Sequence, residues 1–263
     1  MEGFFRVLFL GMERFFELLA MNQIASIAPC LFFCFSLVFV CVMFIVASNL
    51  QKKKAEELLL FATQSGMEFR RGLDGNQGGL FDRFFAGFQG TQTFLKEYEG
   101  FQPIFRTNAT VKYIFDGLAG DMPFQAFHYQ YTSSSGKNSQ THYYMVASVE
   151  MPIWTPDLSV STEDVIDKIG KAFGGQDIQF ESEDFNRQFR ITGSVEKFAH
   201  DVMHPQMMEW FMSVIPPGFQ MKGRRVVLWR NGQLGTDFVK DSRAMLGQFW
   251  DLVPEYVKEE AAK

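Results

Sequence analysis

Between Glu17 and Lys52 the chain carries no charged residue, and from Ile24 to Ser48 the run IASIAPCLFFCFSLVFVCVMFIVAS is almost wholly apolar. At about 1.5 Å of rise per helical residue, this stretch is long enough to cross a hydrocarbon core of about 30 Å. The pattern predicts one transmembrane helix over 24–48. A cleaved signal peptide would have an apolar core of about 7–15 residues after a basic start. This run is longer and begins further from the first residue. Ahead of it, residues 1–21 alternate at helical spacing. Placed on a helical wheel, Glu2, Arg6, Glu13, Arg14 and Glu17 fall within an arc of about 120°, opposite Phe4, Phe5, Leu8, Phe9, Met12, Phe15, Phe16 and Leu19. That is an amphipathic helix suited to the membrane interface, although such a stripe also suits packing on a partner protein.

After the apolar run, residues 49–108 predict a juxtamembrane helix followed by a connector rich in Gly and Phe. From 109 to 263 the period changes. TVKYIFDG, FQAFHYQYT, THYYMVASVEM, LSVS and FNRQFRI read as strands, with a hairpin at the polar turn SSSGKNSQ. STEDVIDKIGKAFGG, SVEKFAHDVM and PQMMEWFMSVI read as helices, and a last one covers 236–253. Asn231-Gly232 in RRVVLWRNGQLG is a hairpin signal. Hairpin connections dominate, so the expected class is α+β: an amphipathic helix and one transmembrane helix, then an antiparallel sheet with helices on one side.

Composition narrows the function. The net charge is -5 and the pI about 5.5, which argues against a nucleic-acid binder. The 31 phenylalanines imply an aromatic-rich core or membrane contact. The cysteines, Cys30, Cys34 and Cys41, all lie in the apolar run, which excludes a disulfide framework or a cysteine-based zinc site further on. Lys52, Lys53 and Lys54 follow the run directly, and the positive-inside rule then places the C-terminal domain in the cytoplasm, next to membrane lipids. There the sequon Asn108-Ala109-Thr110 has no meaning. No cofactor is expected: GNQGG lacks the Lys-Ser/Thr ending of a phosphate loop, and no serine sits in a GxSxG elbow.

KFAHDVMHP, residues 197–205, resembles the HExxH spacing of zinc proteases. Pro205 opposes helix at His204, however, so the helix is expected to end near Met203 and His204 to cap a new one with Pro205 in first position. Were the helix to continue, His200 and His204 would lie roughly 140–180° from the apolar face of Val195, Phe198, Ala199 and Val202. A second anomaly is Arg187. On a strand it shares a face with Phe185, Phe189 and Ile191, where an unpaired guanidinium is costly. Glu181, Glu183 and Asp184 are its candidate partners. Either a local ion pair fixes the turn before the strand, or Arg187, Asn186 and Glu183 line a groove for a partner.

FESEDFNRQFRI at 180–191, set within DIQFESEDFNRQFRITGSVEKFAHDVMHPQMMEWF after the hairpin FQAFHYQY…THYYMVASVEMP, resembles a family of small bacterial single-span membrane proteins of unknown function. That family places a short anchor before an α+β domain containing an F-E-S-E-x-F-N-x-x-F-x-V run. The resemblance covers roughly residues 100–257 and implies a bacterial cytoplasmic membrane, without carrying over catalytic residues. The expected function is a non-enzymatic, membrane-anchored interaction or scaffold module with a protein partner. The alternatives are a metal-dependent hydrolase using His200 and His204, and a lipid-associated domain.

Overall fold

The structure, a computed structural model, describes residues 28–72, 90–101, 109–136, 138–162, 177–216 and 218–261. The amphipathic helix expected over 1–21, most of the Gly/Phe-rich connector, Asn108 of the sequon and the helix expected from Glu163 onward lie outside the described residues. The chain divides at Glu56/Glu57 into two compact units.

Helix α1 runs Ala28–Gln64. Its part up to Ser48 is apolar all round, as expected of a segment surrounded by hydrocarbon instead of seated on a core. Phe32, Phe33, Leu37, Val40, Phe44 and Ile45 all stand exposed, and the helix is long and apolar enough to cross a membrane. Lys52, Lys53 and Lys54 lie on this helix, past the apolar run.

Among the described residues, the second unit is built on a seven-stranded sheet in which every pairing is antiparallel, as the hairpin-rich sequence predicts. Its strands are β1 Glu68–Gly72, β2 Thr110–Ala119, β3 Met122–Ser135, β4 Asn138–Thr162, β5 Asp177–Ile178, β6 Phe189–Gly193 and β7 Gly218–Asn231. The helices are α2 Glu183–Gln188, α3 Glu196–Val202, α4 Pro205–Val214, α5 Thr236–Leu252 and α6 Glu255–Ala261. Strands β1, β2, β3 and β4 follow one another in order. The long β4 pairs with β3 along its first half and with β6 along its second, while β7 runs beside both halves.

Alternation along the strands makes two cores, one on each face. On one face Phe115, Phe124, Ala126, Ala147, Val149, Val226 and Leu228 meet Leu58 and Ala62 of α1, Met207 and Phe211 of α4, and Leu246 and Phe249 of α5. On the other face Ile114, Phe127, Tyr129, Val146, Val227 and Trp229 meet Phe94, Leu95, Tyr98 and Phe101. The sheet is packed with helices as expected, but on both faces: α1, α4 and α5 cover one, and the segment that is helical over 90–96 and continues to Phe101 covers the other. This second cover comes from a stretch read from sequence as connector, although Phe94, Leu95, Tyr98 and Phe101 stand at helical spacing.

Four local readings differ from the sequence pattern. The juxtamembrane helix ends at Gln64, and Glu68–Gly72, expected as helix end and connector, pairs with β2 as strand β1. THYYMVASVEM and LSVS belong to one strand, β4, whose register with β7 shifts between Glu150 and Leu158. Pro152 and Pro156 fall in that interval, and neither has an N–H to give to the ladder, so the strand bulges there without ending. Asn231-Gly232 makes no hairpin. Gly232 has φ +131°, gives its N–H to Tyr143 O at 2.9 Å, and turns the chain out of β7 toward α5. A two-residue hairpin turn of the Asn-Gly type needs positive φ at both residues, and only Gly232 has it. Residues 185–188 are helix and not strand. Ser182 accepts the Phe185 N–H at 3.3 Å, and Glu183 and Asp184 occupy the positive end of the first turn, so the chain coils once before β6 begins at Phe189.

Candidate functional site

The short helix α2 relocates Arg187. It stands on the solvent side, its side chain 75 % exposed, with its Nη1 3.4 Å from Asp184 Oδ1 one turn earlier. Phe185, Phe189 and Ile191 remain buried, because Phe185 and Phe189 are a helical turn apart and Ile191 follows on the strand. Asn186 turns inward. Its amide nitrogen donates to Phe180 O at 2.6 Å, and its oxygen accepts the Phe180 N–H at 2.9 Å, clasping the loop before α2. Glu183 is exposed in the first turn. The three residues therefore share one short helix but not one groove wall.

The two histidines also part company. Helix α3 ends at Val202, and His204 occupies the N-cap position of α4 with Pro205 behind it, as the sequence predicts. Its ring does not cap: Nε2 lies 3.0 Å from Leu252 O, across the gap to the end of α5. His200 Nε2 faces Glu196 at 3.9 Å, with the Phe180 ring beside it. Among the described residues no group of three His, Cys, Asp or Glu side chains gathers as a metal site.

A continuous polar row crosses the second core. Asp116, Gln125 and Ser148 are direct register partners on β2, β3 and β4. Arg70 of β1 meets Asp116 Oδ2 at 2.7 Å, and Gln125 Nε2 donates to Asp116 Oδ1 at 2.8 Å. The buried Tyr98 hydroxyl donates to Gln125 Oε1 at 2.6 Å and lies 2.9 Å from Ser148 Oγ. The Arg225 guanidinium of β7 lies over the Tyr98 ring, 4.7 Å from its centre, and reaches Glu97 at 3.2 Å. Burial pushes the Tyr98 phenol up to about 12, against the opposing pull of Arg225. The row gives the segment 94–101, whose Phe94, Leu95 and Phe101 offer only apolar contacts, one defined seat on the sheet. Polar groups at sequence separations of 27 and 50 residues meet there, and no local motif announces them.

On the surface, α3 builds a groove with β4 and α6. Alternation through Met151, Ile153 and Thr155 turns those side chains inward and Trp154 outward, so its indole is 66 % exposed. The ring lies over Gly223, which has φ +59° at the bend of β7 and whose carbonyl accepts the Thr155 hydroxyl at 3.0 Å. Trp154, Pro156, Val195, Phe198 and Val257 supply the apolar lining, and Lys197, Asp201 and Glu260 the charges, around about 240 Å³ of space. Lys197 Nζ sits 2.8 Å from Asp201 and 3.5 Å from Glu260. The hydrogen bond and the charge of Asp201 push the Lys197 amine above the usual lysine range. The Tyr256 hydroxyl donates to Asp201 from the rim, at 3.4 Å. The helix singled out for its histidines thus contributes Lys197, Phe198 and Asp201 to a binding-sized depression. The sequence reading missed it, because it ended a strand at Met151 and so left Trp154 without a face.

No protein-family model matches the chain, and no curated protein matches it. Among solved structures, the chain is similar to the crystal structure of the mycobacterial trehalose monomycolate transport factor A, TtfA, at 8% identity and a TM-score of 0.49, over 76% of this chain and 96% of that one.

Proposed function

We propose that the protein is a single-span, membrane-anchored module whose C-terminal domain lies in the cytoplasm and binds a protein partner without performing catalysis. The observation that carries the anchor is the outer half of α1. Its Phe, Leu, Val and Ile side chains face outward on all sides, and apolar surface of that extent calls for a lipid environment. The lysines Lys52, Lys53 and Lys54 at its end support the cytoplasmic side, since short basic flanks are retained there. The exposed Trp154 groove supports partner binding, because tryptophans at interfaces dominate binding energy. Asn186 and His204 are committed to backbone groups of the fold, which favours a structural account of the two motifs in which they stand.

The test combines sidedness with capture. In a chain with Cys30, Cys34 and Cys41 replaced, a cysteine at the exposed Ser134 in the β3–β4 hairpin is to be treated with an impermeant thiol reagent. Labelling only after lysis is expected, and labelling of intact cells would reverse the orientation. Mild crosslinking in cells is expected to give an adduct of defined mass above the monomer. A chain that stays monomeric under all crosslinkers would remove the partner-binding reading.

A further inference from the structure

We propose that the groove between β4, α3 and α6 receives a cationic side chain, arginine or lysine, presented by an apolar segment of a protein partner. This rests on reading the domain as a partner-binding module. The groove offers less room than the about 300–1,000 Å³ of small-molecule pockets, which suits one inserted side chain. Its lining is largely apolar and includes the exposed Trp154, the best ring for a cation. Its charges set the sign of the guest. Lys197 is matched by Asp201 at 2.8 Å, and Asp201 is only 23% exposed. Glu260 is the surplus carboxylate, at 3.5 Å from the same amine and 71% exposed. One ammonium faces two carboxylates, so the groove carries excess negative charge beside an aromatic face.

A guanidinium stacked on Trp154 satisfies both features at once, its edge donating to Glu260 and its plane resting on the indole. An acidic guest would meet two carboxylates and reach Lys197 only by displacing them. The flanking apolar residues of the partner find Pro156 and Val195, the latter 44% exposed. The anionic headgroups of a bilayer are disfavoured by the same surplus charge.

The experiment uses the full chain in nanodiscs of neutral phosphatidylcholine. The probe is a fluorescein-labelled peptide, Leu-Arg-Leu-Arg-Leu amide, followed by anisotropy after subtraction of empty discs. The control is the same peptide with Glu in place of Arg. The basic peptide is expected to bind saturably and the acidic one not at all. Trp154→Ala and Glu260→Gln, both changes at exposed side chains, are each expected to weaken binding at least fivefold. Lys197→Met is expected to strengthen it, since it removes the competing amine. The proposal is overturned if the basic peptide does not bind, if the acidic peptide binds equally, or if the two weakening variants bind as the parent does. It is also overturned if discs containing phosphatidylserine, with no peptide present, lower the acrylamide quenching of the parent's tryptophan emission but not that of Trp154→Ala, because the occupant is then the membrane. The in-cell crosslink separates two failures. An adduct that persists with Trp154→Ala leaves the module and removes the groove, whereas no adduct with the parent chain removes the module itself.

Discussion

Asn186 and Arg187 are neighbours with opposite duties. Asn186 satisfies both backbone groups of Phe180, so Asn186→Ala strands a donor and an acceptor that are partly buried. Its expected cost is about 1–3 kcal/mol in urea unfolding. Arg187 is exposed and pairs with Asp184 in solvent, and Arg187→Ala is expected to change stability by about 0.5 kcal/mol or less. A large loss at Arg187 with none at Asn186 would contradict the helical assignment of this segment. Tyr98 is the other residue with a measurable signature. Its folded phenol titrates near 12 and the unfolded one near 10. The unfolded chain therefore ionises first as pH rises. Stability is full below about pH 10 and falls by about 1.4 kcal/mol per unit between the two values. Tyr98→Phe should remove that alkaline slope while lowering stability at neutral pH, because buried Ser148 loses its phenol partner. Chemical denaturation of both proteins at pH 8 to 11 reads the two effects separately.

At the scale of elements, what was legible depended on the range of the forces involved. Helices α3, α4 and α5 follow apolar stripes and local stop signals, and the structure places them where those signals stand. Helix α2 was hidden because Phe185, Phe189 and Ile191 fit a strand period as well as a turn of helix leading into β6. The deciding residues were Ser182, Glu183 and Asp184, a capping group at the front of the segment. Ser182→Ala is accordingly expected to cost about 0.5–2 kcal/mol, and a negligible effect would mean the cap does not govern the coil. The stretch from Met151 to Pro156, with its two prolines, kept its strand alternation through a bulge, so the break read there from the sequence is a bend in β4. Pairing decided that outcome, and pairing partners are distant in sequence. The same holds for the candidate site. The sequence reading left Trp154 between two strands, so its outward position was not legible, and its assembly with Lys197, Asp201 and Glu260 depends on α3 and α6 meeting the bend of β4.

The limits of the second unit follow from which residues fill its two cores. A reading from strand alternation alone starts the domain at 109, where the period-two pattern becomes regular. Yet Leu58 and Ala62 are buried in the first core, β1 pairs with β2, and Phe94, Leu95, Tyr98 and Phe101 fill the second. Losing that second cover would bare Ile114, Phe127, Tyr129, Val146 and Val227, all buried, and leave Gln125 and Ser148 without the Tyr98 hydroxyl. Each large buried side chain removed costs about 2–5 kcal/mol, against a total domain stability of about 5–15 kcal/mol. A chain of residues 57–263 is therefore expected to be water-soluble and to unfold in one cooperative urea transition. A chain of residues 109–263 is expected to lack that transition, to bind a hydrophobic dye and to aggregate. If the shorter chain unfolded as cooperatively and at the same urea midpoint as the longer one, the segment 90–101 would be an ornament on the sheet and not part of its core.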